Sequence, residues 1–91
     1  MKFVMPDDPE IQLGVFQAML VKVEGAILKI PDSFLQLDET LRQAQESGDI
    51  QKLRETYANK VELRRQELCL IDQKRRLEER IDLVRERLAI Q

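Results

Sequence analysis

The C-terminal part of the chain, from Asp49 to Gln91, carries the clearest hydrophobic pattern. It contains no Pro and no Gly, which predicts one very long helix over about 49–90. Apolar residues in this helix fall on two stripes that are rotated from each other by more than a quarter turn. The first stripe is formed by Ile50, Leu53, Tyr57, Val61, Leu68 and Ile71. The second stripe is formed by Leu63, Leu70, Leu77, Ile81, Val84 and Leu88.

A short helix over 33–47 is predicted just before the long one. Pro31 predicts a break, and Ser33 with Gln36 matches a capping box at the start of the short helix. The sequence Ser47-Gly48-Asp49 ends this helix and caps the next, so the two helices should form an antiparallel hairpin. At 1.5 Å per residue the short helix is only about 20 Å long, so it covers the first stripe and leaves the second one free.

The N-terminal apolar segment, residues 1–31, allows two interpretations between residues 11 and 30. Asp8 and Pro9 are typical of a helix start, and a buried helix would carry a stripe ending at Ile30. A β-hairpin that turns at 24–25 fits slightly better, because it places Val21 and Val23 on one apolar side. A short edge strand over 2–5 is a further possibility. The stripe of the helical alternative is Leu13, Phe16, Leu20, Val23, Ile27 and Ile30.

The second stripe predicts a coiled-coil-like interface between chains. Four of its members recur every seven residues, and Ile81 and Leu88 occupy the companion positions of the last two heptads. We therefore expect a homodimer or tetramer formed through the long helix, and an unlike protein partner could use the same stripe. The alternative, in which these residues pack on the N-terminal segment of their own chain, stays open. The expected interface residues are Leu63, Leu70, Leu77, Ile81, Val84 and Leu88.

Composition and charge limit the class of protein and its expected cellular location. A chain of 91 residues with a net charge of −2 fits a single small domain over 1–91, without the strong positive field of most nucleic-acid-binding domains. The single cysteine, Cys69, fits a reducing compartment, so we expect a cytoplasmic protein. Residues 11–30 are apolar, but charged side chains such as Lys22 and Glu24 argue against a membrane span, and no membrane partner is expected.

Candidate chemistry is sparse. The basic residues from Lys74 to Arg87 alternate with acidic neighbours one turn away, so they are expected to form a solvated face and not a nucleic-acid site. The chain has no His, and the acidic cluster at Asp7, Asp8 and Glu10 is better explained as helix capping than as a cation site. We therefore expect no enzyme activity, no catalytic residue, no metal and no cofactor.

Two functions remain. The sequence favours a small protein-protein interaction or assembly protein, a scaffold that self-associates through its long helix. The alternative is a small dimeric nucleic-acid-binding regulator, antitoxin-like or an accessory transcription factor. That alternative requires more cations on the possible hairpin than Lys22 and Lys29 provide.

Overall fold

The computed structural model describes residues 8–90 as two long antiparallel helices. Helix α1 spans Pro9–Ser47 and helix α2 spans Ile50–Ile90. The pair forms an elongated body with Cα extents of 65 × 28 × 14 Å. No strand occurs within residues 8–90, and the predicted helical hairpin with its long second helix is confirmed. The possible strand over 2–5 lies outside the described residues.

The helix ends follow the capping residues of the sequence. The Asp8 carboxylate accepts a hydrogen bond from the backbone N–H of Glu10 at 2.9 Å, and Pro9 opens α1. Gly48 ends α1 in the left-handed region with φ 70°, where a residue without Cβ is favoured. The Asp49 carboxylate then accepts from the N–H of Lys52 at 3.0 Å. These caps place the turn at one end of the body, the closed end, and leave Pro9 and Ile90 at the open end.

Of the two alternatives for residues 11–30 the helical one forms, and the expected break at Pro31 and helix start at Ser33 are wrong. Residues 11–30 are helical, so the β-hairpin turning at 24–25 does not form, and Pro31 lies inside α1 without ending it. Ser33 is likewise no cap, since its hydroxyl donates to the carbonyl of Lys29 at 3.3 Å. A Gly and a Pro inside a helix cost about 1 and about 3 kcal/mol relative to Ala. Packing along the whole length of α2 outweighs that local cost. The predicted short helix over 33–47 is therefore only the last part of α1.

The packing that overrides Pro31 is a continuous seam between the helices. Apolar residues of α1 alternate three and four positions apart, through Pro31, over the entire helix. This spacing keeps one line of side chains facing a partner helix that winds gently around it. The α1 members of the seam are Leu13, Phe16, Leu20, Val23, Ile27, Ile30, Phe34, Leu37, Leu41 and Ala44.

Helix α2 supplies the other side of the seam with the same spacing. At the open end, Phe16 of α1 packs with Leu77, Ile81 and Val84 of α2 in the main hydrophobic cluster, flanked by Leu13, Leu20, Val23 and Leu88. Nearer the turn the α2 seam is more polar. Its residues from the turn outward are Leu53, Thr56, Lys60, Leu63, Glu67, Leu70, Lys74, Leu77, Ile81, Val84 and Leu88.

The polar seam residues find partners. Thr56, only 2% exposed, donates its hydroxyl hydrogen to the carbonyl of Lys52 at 2.7 Å. The Lys60 ammonium reaches across the seam to the Asp38 carboxylate of α1, also at 2.7 Å. Such a half-exposed pair adds about 0–1 kcal/mol, but its geometry fixes which residues lie opposite each other. The hydrophobic cluster at the open end is therefore the main contribution to stability.

Candidate interaction surfaces

The structure places the second stripe of α2 against α1 of the same chain. Leu77, Ile81 and Val84 are buried against Phe16, and the other three members are partly buried along the seam. This is the intramolecular packing that the sequence left open. A role for these residues between chains stays a prediction, but their surface is already covered within one chain. The three partly buried members are Leu63, Leu70 and Leu88.

The first stripe, which was expected to pack against the short helix, is instead largely exposed. Of its members only Leu53 belongs to the seam. The rest lie roughly 80° to 130° around the helix from the seam, counting 3.6 residues per turn. Because α1 is one continuous helix, it contacts the stripe that extends along all of α2 and leaves the shorter stripe open. The exposed members, between 48% and 66% accessible, are Ile50, Tyr57, Val61, Leu68 and Ile71.

Helix α1 carries a second exposed apolar row that sequence reasoning missed. Val21, Leu28 and Leu35 lie seven residues apart and are 71%, 77% and 66% accessible. Residues seven apart keep the same position relative to the seam of a heptad-based helix pair, so these three form one line. Their heptad spacing was visible in the sequence, but the assumed break at Pro31 concealed it.

The exposed rows of the two helices lie on the same side of the hairpin. Near the open end, Val21 lines one groove together with Glu78 and Asp82 of α2. Steps of seven back along α2 from Glu78 lead to Ile71 and, beyond Arg64, to Tyr57. The same steps from Asp82 pass Arg75 and lead to Leu68 and Val61. We name this side the apolar face. It consists of Val21, Leu28, Leu35, Tyr57, Val61, Leu68 and Ile71, with Ile50 at the closed end.

The opposite side of the hairpin is basic toward the open end. A groove there joins Met19 of α1 to Gln73, Arg76 and Arg80 of α2. Steps of seven from Gln73 lead back to Gln66, which shares a groove of the closed half with Gln36. Gln36 belongs in turn to the row of Lys22 and Lys29. We name this part the basic face. Its residues are Met19, Lys22, Lys29, Arg76, Arg80, Leu83, Arg87 and Ile90.

Most acids on α2 lie off the basic face. The Asp72 carboxylate, on the outer edge of α2, accepts a hydrogen bond from Arg75 at 2.8 Å and forms an ion pair with Arg76 at 3.0 Å. The hydrogen bond from Arg75, followed by the charge of Arg76, keeps the pKa of Asp72 below its ordinary value. On the outer edge of α1, a hydrogen bond from Arg42 lowers the pKa of Glu39 in the same way. The charged residues on the outer edge of each helix are therefore joined in exposed ion pairs.

The described residues do not bring together a metal-binding cluster. Among residues 8–90 no three metal-ligating side chains come together, and Cys69 is exposed on α2. The grooves are shallow surfaces between two helices, lined by ordinary seam and flank residues. The expected absence of catalysis, metal and cofactor stays an expectation.

Helix α1 has one property of a membrane segment. It includes an 18-residue window with a mean hydropathy of 1.5, long and apolar enough to cross a membrane by length and composition, and only 6% of that window is buried. One such helix near the N-terminus is weak support for a span. It does show that much of the apolar surface of α1 lies outside the seam.

Comparisons with known proteins give no further guide. No family model matches the chain, and neither a curated protein nor a solved structure matches it.

Proposed function

We propose that this chain is a small non-catalytic assembly protein that self-associates through the apolar face. One observation carries the proposal: seven large apolar side chains on one side of the hairpin are each 48% to 77% exposed. Soluble monomers rarely leave so many large apolar side chains uncovered on one side, and exposed apolar patches mark interaction sites. The long helix α2 contributes four of the seven side chains, so the expectation of association through that helix is retained with different residues.

The occupant that best fits the apolar face is a second copy of the chain. Seven side chains that expose on the order of 100 Å² each amount to roughly 700 Å², close to the ~800 Å² per partner of a standard-size interface. Two such faces brought together would form a four-helix bundle, in which each hairpin covers the exposed rows of the other. Leu28 and Leu68, which lie at the same level of the hairpin, would be midway along the length of that interface.

Charged residues inside the apolar face would help to define the orientation of the pair. Glu24 lies next to Val21 and Leu28 on α1, while Arg64, which forms an ion pair with Glu67, lies between Tyr57 and Ile71 on α2. Opposite charges across an interface contribute more to specificity and association rate than to affinity. The apolar residues therefore account for the association itself.

Sedimentation equilibrium over a range of protein concentrations tests this proposal. At roughly 10 μM, a concentration at which standard interfaces are populated, we expect a dimer or a larger oligomer of defined size. Circular dichroism on the same samples should show a helical chain. A helical chain that remains monomeric at that concentration would overturn the proposal.

A further inference from the structure

We propose a second interaction surface: the basic face binds the surface of a membrane that contains anionic phospholipid. This inference is independent of self-association, because it concerns the opposite side of the hairpin. It also departs from the sequence expectation that no membrane is involved. The expectation of a solvated face treated the basic residues of α2 as one mixed row, whereas the hairpin separates them and adds cations from α1.

Unpaired cations carry the inference. Within residues 8–90, Lys22, Lys29, Arg80 and Arg87 have no ion-pair partner, and only Arg76 is paired, with Asp72 on the edge. Among the described residues, no acid lines the groove from Met19 to Arg80, and only Glu86 lines the neighbouring groove near Ile90. The basic face therefore carries five cationic side chains, of which four are unpaired within the described helices. Each cation near an anionic leaflet is worth about a fivefold gain in partitioning.

Apolar side chains between the cations favour a lipid surface over a nucleic acid. Met19, Leu83 and Ile90 are 46%, 62% and 87% exposed on this side. An interfacial helix inserts such side chains among the acyl chains while its cations contact the headgroups. A single-stranded nucleic acid would use the cations but would also stack its bases on aromatic side chains. Among residues 8–90, the aromatic residue beside these cations is Phe16, which is buried in the seam, with the Arg80 guanidinium carbon 5.8 Å from its ring centre.

Vesicle co-sedimentation tests the inference with the whole chain. We expect binding to phosphatidylcholine vesicles that contain roughly 30% phosphatidylserine, and at least tenfold weaker binding to phosphatidylcholine alone, because the anionic lipid attracts the cations. Binding should weaken as salt is raised. Equal binding to both vesicles, or to neither, would overturn the inference.

Matched triple variants locate the surface. Lys22→Gln, Lys29→Gln and Arg80→Gln together should lower partitioning on the order of 100-fold, at about fivefold per cation. The control carries Arg54→Gln, Arg65→Gln and Arg85→Gln, which remove the same charge from other sides of α2, and it should change partitioning less than about threefold. Equal losses in both variants would show that net charge, and not this face, is responsible.

A further arm separates lipid from nucleic acid. Leu83→Ala should weaken binding to the anionic vesicles several-fold, because it removes an inserted side chain, while leaving any binding to random duplex DNA unchanged. If the chain binds the duplex more tightly than the vesicles, a nucleic-acid surface replaces the membrane surface. All substituted positions are exposed, and circular dichroism of each variant verifies that the helices are retained.

Discussion

Replacing Ile81 by Ala tests whether the second stripe belongs to the core of one chain. Ile81 is 4% exposed and packs with Phe16, Leu77 and Val84. Such a truncation costs about 2–5 kcal/mol, from the lost transfer of the side chain and from the cavity that remains. A two-helix core is thin and can partly collapse around the gap, so we expect the lower part of that range, about 2–3 kcal/mol. A domain of this size is stable by only about 5–14 kcal/mol, so this is a large loss.

Urea denaturation followed by far-ultraviolet circular dichroism measures the effect at one fixed protein concentration, because self-association itself adds to stability. The control is Leu83→Ala, at a position 62% exposed on the same helix, for which we expect less than about 0.5 kcal/mol. The reasoning is refuted if Ile81→Ala leaves the unfolding midpoint of the monomer unchanged but dissociates the oligomer. In that case the second stripe would be the interface between chains.

Three further predictions concern single features of the hairpin. Pro31→Ala should raise the free energy of unfolding by about 1–3 kcal/mol in urea, because the ring removes a helical hydrogen bond; a loss would show that packing near Pro31 depends on the proline. Gly48→Ala should lower the free energy of unfolding by about 1 kcal/mol, because alanine is strained at a φ of 70°; an unchanged midpoint would contradict the left-handed turn. The pKa values of Glu39 and Asp72 are lowered in the folded chain, so their ion pairs contribute fully to the free energy of unfolding above the ordinary carboxyl pKa. That contribution is lost as the pH falls through the lowered folded pKa values, and Glu39→Gln should therefore reduce the loss of stability on acidification.

The parts of the fold that sequence predicted are those set by local chemistry. Asp8, Gly48 and Asp49 occupy the capping positions expected of them, since a cap depends on the few residues beside it. The long helix over about 49–90 was predictable because nothing within it interrupts helical propensity. These signals placed the turn, and with it the antiparallel hairpin.

The parts that were not predicted depend on contacts distant in sequence. Pro31 reads locally as a break, and only the seam with α2 explains why α1 continues. The unbroken alternation of three and four residues from Ile30 to Phe34, across the proline, was the signal that could have shown it. Once α1 was taken as short, the buried and exposed stripes of α2 were necessarily exchanged. The α2 residues of the apolar face were therefore expected in the core, and the second stripe of α2 was expected at an interface.

The most direct test of the central claim compares Leu68→Asp with Leu83→Asp. Both leucines are exposed on α2, at 53% and 62%, but only Leu68 lies on the apolar face. A charge buried in an interface without a partner costs several kcal/mol, whereas the same charge on an uncovered surface costs little. By sedimentation equilibrium we expect Leu68→Asp to give a folded helical monomer and Leu83→Asp to keep the oligomer of the unsubstituted chain. If Leu68→Asp leaves the oligomer intact, or if Leu83→Asp dissociates it equally, then the apolar face is not where the copies meet.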